Sequence, residues 1–245
     1  MTGNDFVRIF NNKKNTIIIA SIITGAFLLR MWALSWGLPL RQAHIDESVM
    51  IFYSMHFFSG HVFYDYPTFF VYLLWIIYSA AFVLAKCLGL CASLDQFVGI
   101  YLHGDPSLFY LLARLVSVCA GTASVYLLYK IGKEQWGQGI APAIVLAVLP
   151  YHVLHSHYGT TDVTSVFFVL LAFLYIGRYY SSITASDLYK GCFILGVATA
   201  TKYYPAIFLM PLSLFVAVRE QRNALKPLLF SYVWVFAGFI IACPY

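Results

Sequence analysis

Apolar positions in this chain come in runs rather than stripes. The longest cover residues 16–29, 141–153, 163–176, 205–218 and 228–243. A surface helix of a soluble domain keeps a polar face, with apolar residues recurring three and four apart. These segments keep little of one. Each extends through small or weakly polar neighbours toward the roughly 20 residues that carry a helix across a bilayer. The pattern predicts spans at about 16–37, 108–130, 139–157, 163–180, 190–204, 205–219 and 227–243. The expected fold is all-α, a polytopic transmembrane bundle of about seven spans forming one module over residues 1–245.

Composition supports this: 61% of residues are hydrophobic and 10% charged, against about 45–50% and about 25% in soluble domains. The net charge of +5 therefore speaks to orientation in a membrane rather than to nucleic acid. The start, Asn11-Asn12-Lys13-Lys14 followed by an apolar run, resembles a secretory signal. Arg30 and Trp32 then follow with no small-residue cleavage site, which predicts an uncleaved first span. Cys87, Cys91, Cys119, Cys192 and Cys243 are scattered through apolar surroundings and give neither a disulfide framework nor a zinc spacing.

Residues 67–88 are also apolar enough to cross, and basic residues decide between two topologies. If that segment stays on one side, Arg8, Lys13, Lys14, Lys130, Lys133, Arg178, Lys190, Arg219, Arg222 and Lys226 are cytoplasmic, ten of the fifteen Lys and Arg residues. If it crosses, only six of them are. The first topology is preferred. It makes 38–107 one long outer loop, with a re-entrant or membrane-surface helix at 67–88. It also makes Pro205, at a first helical position, the start of the returning arm of a hairpin. All seven histidines then lie outside, with Asp46, Glu47, Asp65, Asp95, Asp105 and Asp162. Ionisable groups at membrane depth usually face a cavity and mark function.

Five constellations could carry chemistry. His44-Ile45-Asp46-Glu47-Ser48 opens a helix expected from 47 to about 59, ending at Gly60. Asp46 there is either an N-cap or a base, and a carboxylate can do both. Tyr64-Asp65-Tyr66-Pro67-Thr68 leads into another helix, its aromatics either an interfacial belt or a substrate lining. Arg114, near the outer end of the second span, either snorkels to headgroups or meets an anion. Pro150 and the turn from Ser156 to Asp162 carry His152, His155 and His157. These histidines admit a divalent metal without requiring one. Lys202 follows a small-residue stretch suited to close helix packing and could hold a phosphate together with Arg114.

The order and common side of these pieces resemble the GT-C superfamily of membrane glycosyltransferases, in the branch of protein O-mannosyltransferases and aminoarabinose transferases. The matching features are Asp46-Glu47 after the first span, Tyr66-Pro67, Arg114-Leu115, Pro150 with the Ser156…Asp162 turn, and Gly196…Thr201-Lys202. Two features depart from the pattern. Many relatives carry a basic residue before two prolines where this chain has Tyr66-Pro67-Thr68, and relatives run to about twice this length, so a fragment is expected.

The resemblance implies a hexosyl- or pentosyltransferase of the cell envelope that works on the outer face. Its donor would be a polyprenyl-phosphate sugar, its acceptor a lipid, glycan or protein, and its transfer inverting. On that reading Asp46 is the base and Glu47 a supporting or alternative acid. Arg114 and Lys202 neutralise the leaving phosphate. Asp162, helped by Tyr66 or His157, orients acceptor or sugar. A transporter or lipid flippase would also use intramembrane charges, but the chain lacks paired hydropathy repeats. An inactive assembly subunit is a third reading.

Overall fold

The computed structural model describes residues 3–41, 44–60, 67–182 and 184–244, with backbone alone for 3–13 and 182. Its helices are α1 (Gly3–Met31), α2 (Ile45–His56), α3 (Phe69–Cys87), α4 (Leu94–His103), α5 (Ser107–Trp136), α6 (Ile140–Val148), α7 (Pro150–His155), α8 (Thr161–Ser182), α9 (Ala185–Thr201), α10 (Leu209–Glu220) and α11 (Leu225–Ala242). No strand occurs among the described residues. The fold is an all-α membrane bundle.

Local chemistry sets the helix ends. Gly137, at φ 71°, closes α5 in the left-handed region that an L side chain resists. The Ser93 hydroxyl accepts the Gln96 backbone N–H and opens α4. Pro150 has no N–H for the carbonyl four residues back, so the run predicted as one span at 139–157 breaks into α6 and α7 at Leu149. Lys202 is extended and ends α9, and Pro205 lies in the 3-10 turn that leads to α10. α10 then runs back to the end of α8, where Arg219 Nη1 donates to Tyr180 O over 2.8 Å and Tyr179 donates to Glu220. The hairpin expected at Pro205 is present.

Among the described residues, five helices are long and apolar enough to cross a bilayer: the 14–31 part of α1, α3, α5, α8 and α11. The set differs from the seven expected spans in a physical way. α6 and α7 are severed by proline, while α9 and α10 are short arms of a hairpin. α3, assigned from charge to a re-entrant or membrane-surface position, has the length to cross. Its contacts reach the ends of α9 and α11, the start of α5, and α4. Phe69 lies by Ala200 and Ala242, the Tyr78 hydroxyl donates to Phe109 O, and Phe82 packs on Phe97.

α9 packs between α8 and α11, and glycine makes this close. A methyl group on Gly191 would lie 3.0 Å from Ala172 O. One on Gly196 would run into the Val235 carbonyl, and one on Gly238 into the Phe193 carbonyl. Small residues at such crossings let backbones approach and gain dispersion contact where lipid removes the hydrophobic driving force. α5 joins this group to α1 and α6 through Val125, Tyr129, Ala143 and Ala147.

The two ends of the bundle differ in charge. One end gathers the starts of α2, α5 and α8 with the ends of α9 and α11. At the other, Arg178 forms a two-pronged pair with Glu134 at 2.7 and 2.9 Å, Lys130 stands 3.8 Å from Glu134, and Lys190 lies 4.0 Å from Asp187. Arg219, Arg222 and Lys226 share this second end with Tyr179, and Lys133 shares it with Asn15. Lys130, Lys133, Arg178, Lys190, Arg219, Arg222 and Lys226, grouped on one side from the sequence, thus share one end of the described bundle.

Candidate active site

The chain leaves α1 through a tight turn in which Ala33 takes φ 55°, an uncommon conformation for a residue with a side chain. The Leu34 and Trp36 carbonyls point from this turn toward α5. There they receive Arg114 Nη1 at 2.6 and 2.9 Å. Arg114 Nε and Nη2 donate to Glu47 Oε1 and Oε2 at 2.7 and 2.8 Å. The Gly159 backbone N–H adds a third donor to Glu47 Oε1, also at 2.8 Å. Both side chains are sealed from solvent, with exposures of 2% and 0%. Four of the five guanidinium N–H groups are therefore engaged inside the protein.

Asp46, the preceding residue, is placed differently. His44 occupies the N-cap position of α2 in extended conformation and makes no capping bond through its side chain. Asp46 is the second helical residue, so the capping role considered for it belongs to position 44. Its side chain is exposed and has no hydrogen bond or ion pair with any described residue. The partial positive charge at the start of α2 favours a carboxylate there.

A second ion pair lies beyond Gly159. Lys202 Nζ meets Asp162 Oδ1 at 2.5 Å, Thr160 Oγ1 donates to Asp162 Oδ2 at 3.2 Å, and His155 Nδ1 stands 3.9 Å from Oδ2. This pair is half-open, with Lys202 21% and Asp162 32% exposed. Gly159 ties the two pairs together. Its N–H holds Glu47 while its Cα faces α5 so closely that an added Cβ would sit 2.5 Å from Ala113 Cβ. Any side chain at 159 would push the turn away and break the link.

His157 and Tyr158 line a cavity of about 380 Å³ with Trp32, Trp36, Leu154 and Arg114. The His44 ring lies 4.4 Å from that of Tyr158. Tyr66 falls outside the described residues. The Pro67-Thr68 segment that follows it is buried and anchored at the same end, with Thr68 Oγ1 3.1 Å from Cys243 Sγ. No group of three metal-ligating side chains occurs among the described residues. His152 is instead engaged at Nδ1 by Arg30, 3.0 Å away.

The Arg30 arrangement was missed in the sequence, where the residue counted only as a basic flank. It is fully buried. Its Nη2 donates to Leu146 O and its Nη1 to Ala147 O, both at 3.1 Å, and Nη1 also reaches Ala26 O at 3.0 Å. Leu146 O is the carbonyl that Pro150 leaves without a helical partner. A proline inside an apolar run with an arginine at the edge of another was the available signal. The Glu47–Arg114 pair was missed in the same way, since each residue was read as a free functional group.

Comparison with known families identifies this all-α membrane bundle as a membrane glycosyltransferase of the mannosyltransferase type. A family model for dolichyl-phosphate-mannose-protein mannosyltransferase matches residues 100–245, more than half of the chain, and the chain belongs to that family. The match contains Arg114, His157, Asp162 and Lys202, whereas Asp46 and Glu47 precede it. No curated protein and no solved structure matches.

Proposed function

We propose that the chain carries the catalytic end of an enzyme that transfers a sugar from a polyprenyl-phosphate donor to a hydroxyl acceptor on the outer face, inverting the anomeric centre. The acceptor oxygen attacks the anomeric carbon from the side opposite the phosphate. The carbon–oxygen bond to phosphate breaks, the phosphate leaves with the bonding electrons, and the acceptor proton passes to Asp46. A carboxylate within hydrogen-bond reach of the attacking hydroxyl suffices as the base. The acceptor is a lipid, a glycan or a protein segment.

Lys202 supplies the cation for the departing phosphate, where a fixed charge in a partly dehydrated site acts strongly. Asp162 holds Lys202 and, through its exposed edge, orients acceptor or sugar. His157 lines the approach, and Tyr66 is assigned to help orient the acceptor or sugar from the sequence alone. Arg114 takes a role different from the one first expected of it. Its donors are used on Glu47 and on the turn after α1, so it fixes the start of α2 rather than contacting the phosphate. Glu47 is the anchor in this arrangement.

The observation that supports the reading best is the contrast within one dipeptide, an exposed Asp46 with no partner among the described residues beside a locked Glu47. Its test is Asp46→Asn in the full-length enzyme, measured by transfer of radiolabelled sugar. Asparagine preserves shape and cannot accept the proton. Transfer should fall by at least about 100-fold, with donor binding and melting temperature near those of the parent. Unchanged turnover would refute the assignment and direct attention to Asp162.

A further inference from the structure

At the opposite, basic end a second site is built around the first half of α9. A cavity of about 680 Å³ opens between α9, the turn joining α10 to α11, and the first turns of α11. Arg222 and Lys226 stand at its rim, and Leu188, Leu229 and Phe230 form much of its wall. Both cations are exposed and have no ion pair or hydrogen bond with described residues. The one carboxylate that lines the cavity, Glu220, is engaged by the Tyr179 hydroxyl and lies 3.8 Å from Arg219 Nε. The rim therefore carries uncompensated positive charge.

The apolar surface continues away from the rim. Tyr189 packs on Phe230 at 5.8 Å, and one turn further along both helices Phe193 packs on Trp234 at 6.3 Å. Tyr189 also walls a neighbouring apolar hollow of about 630 Å³. The result is a graded groove, cationic at the bundle end and aromatic toward its middle.

We propose that this groove binds an anionic diacyl phospholipid, its phosphodiester and acidic headgroup at Arg222 and Lys226 and its acyl chains along Leu229, Phe230 and the aromatic ladder. A soluble anion would satisfy the rim and leave the apolar wall empty, whereas a zwitterionic lipid would fill the wall and leave the rim charge unmet. The site is separate from the reaction site. α8, with 22 residues, runs between the two ends and spans about 33 Å at 1.5 Å per residue.

The test is native mass spectrometry of the full-length protein, purified in detergent and offered phosphatidylglycerol and phosphatidylcholine in equal amounts. The parent should retain phosphatidylglycerol preferentially, and millimolar inorganic phosphate should not displace it. Arg222→Gln with Lys226→Gln should reduce that preference by about tenfold or more, since each basic residue near a membrane surface contributes separately. Arg222→Lys with Lys226→Arg, which keeps the charge and the orientation signal, should retain the preference. Leu229→Trp, which fills the groove without changing charge, should abolish retention of the lipid. A parent without preference, a neutralised variant that keeps it, an unaffected Leu229→Trp, or displacement by phosphate would each overturn the proposal.

Discussion

Glu47→Gln is nearly isosteric, yet the buried pairing of Glu47 makes it a destabilising change. Glutamine keeps one acceptor oxygen, which can serve either Gly159 or Arg114, and turns an amide N–H₂ toward a guanidinium that needs an acceptor. The Arg114 charge is then buried without its counter-ion. Removing one member of a buried pair costs roughly 3–5 kcal/mol, and Glu47 is 0% exposed. Arg114→Gln should cost a similar amount, because it leaves Glu47 with the Gly159 N–H and strips the Leu34 and Trp36 carbonyls of their donor. The double variant should be less destabilised than the sum of the two, by about 0.5–3 kcal/mol of coupling. Denaturant and thermal unfolding of the purified full-length protein would give these values, with donor affinity measured on the same samples. The expected result is a large stability loss with donor affinity unchanged in molecules that remain folded. An Arg114→Gln protein as stable as the parent but weakened in donor binding would refute the anchoring argument and return Arg114 to direct phosphate contact.

Three further outcomes follow from the same geometry. Lys202→Ala should weaken donor binding about tenfold or more, the loss expected for a charge-assisted hydrogen bond, with little change in melting because Asp162 is 32% exposed and water can cover it; equal donor affinity would remove Lys202 from the site. Arg30→Leu should lower the melting temperature, each orphaned carbonyl costing roughly 1–3 kcal/mol, while protein that folds at reduced temperature keeps its transfer rate; a parent-like melting curve would contradict the role given to Arg30 at the α6–α7 break. Cysteines placed at Asp105 and Lys133, in a background without native cysteines, should label from opposite sides of the membrane, since the two residues flank the start and approach the end of α5; labelling of both from the same side would end the topology.

The sequence revealed the helical segments and their grouping because both depend on composition over many residues. Runs of apolar residues mark helices that need no internal pattern, and the imbalance of Lys and Arg marks two ends. Pro205 and Gly60 were legible for a local reason, the fixed φ of proline and the freedom of glycine to take the φ of 75° found at Gly60. The pairings were not legible. Glu47 and Arg114 are 67 residues apart, and nothing local to either says that the other will neutralise it. Arg30 lies 116 residues from the carbonyl it rescues. An isolated charge beside an apolar run reads as functional or as snorkelling, and the third outcome, a satisfied buried pair, appears only when the helices are packed. The break at Pro150 was visible as a residue and underused as a signal, because a proline in a membrane helix is tolerated when a neighbour supplies the missing donor. The neighbour was what the sequence could not name.

The adjacent carboxylates of α2 show how one fold gives two acids opposite fates. Consecutive helical residues point about 100° apart, so burying Glu47 against α5 turns Asp46 away from the core. The two-pronged contact with Arg114 and the N–H of Gly159 fix the rotation of the first turn, and that rotation decides where Asp46 stands. Gly159 also precedes Thr160 and Asp162, so the same backbone bond that sets α2 sets the turn presenting the Lys202 pair. A shift of the anchor would therefore move the proposed base and the proposed phosphate cation together. Their spacing is held by Glu47, and this is the reason to expect geometry, rather than charge at either residue, to be the quantity that Glu47 and Arg114 protect.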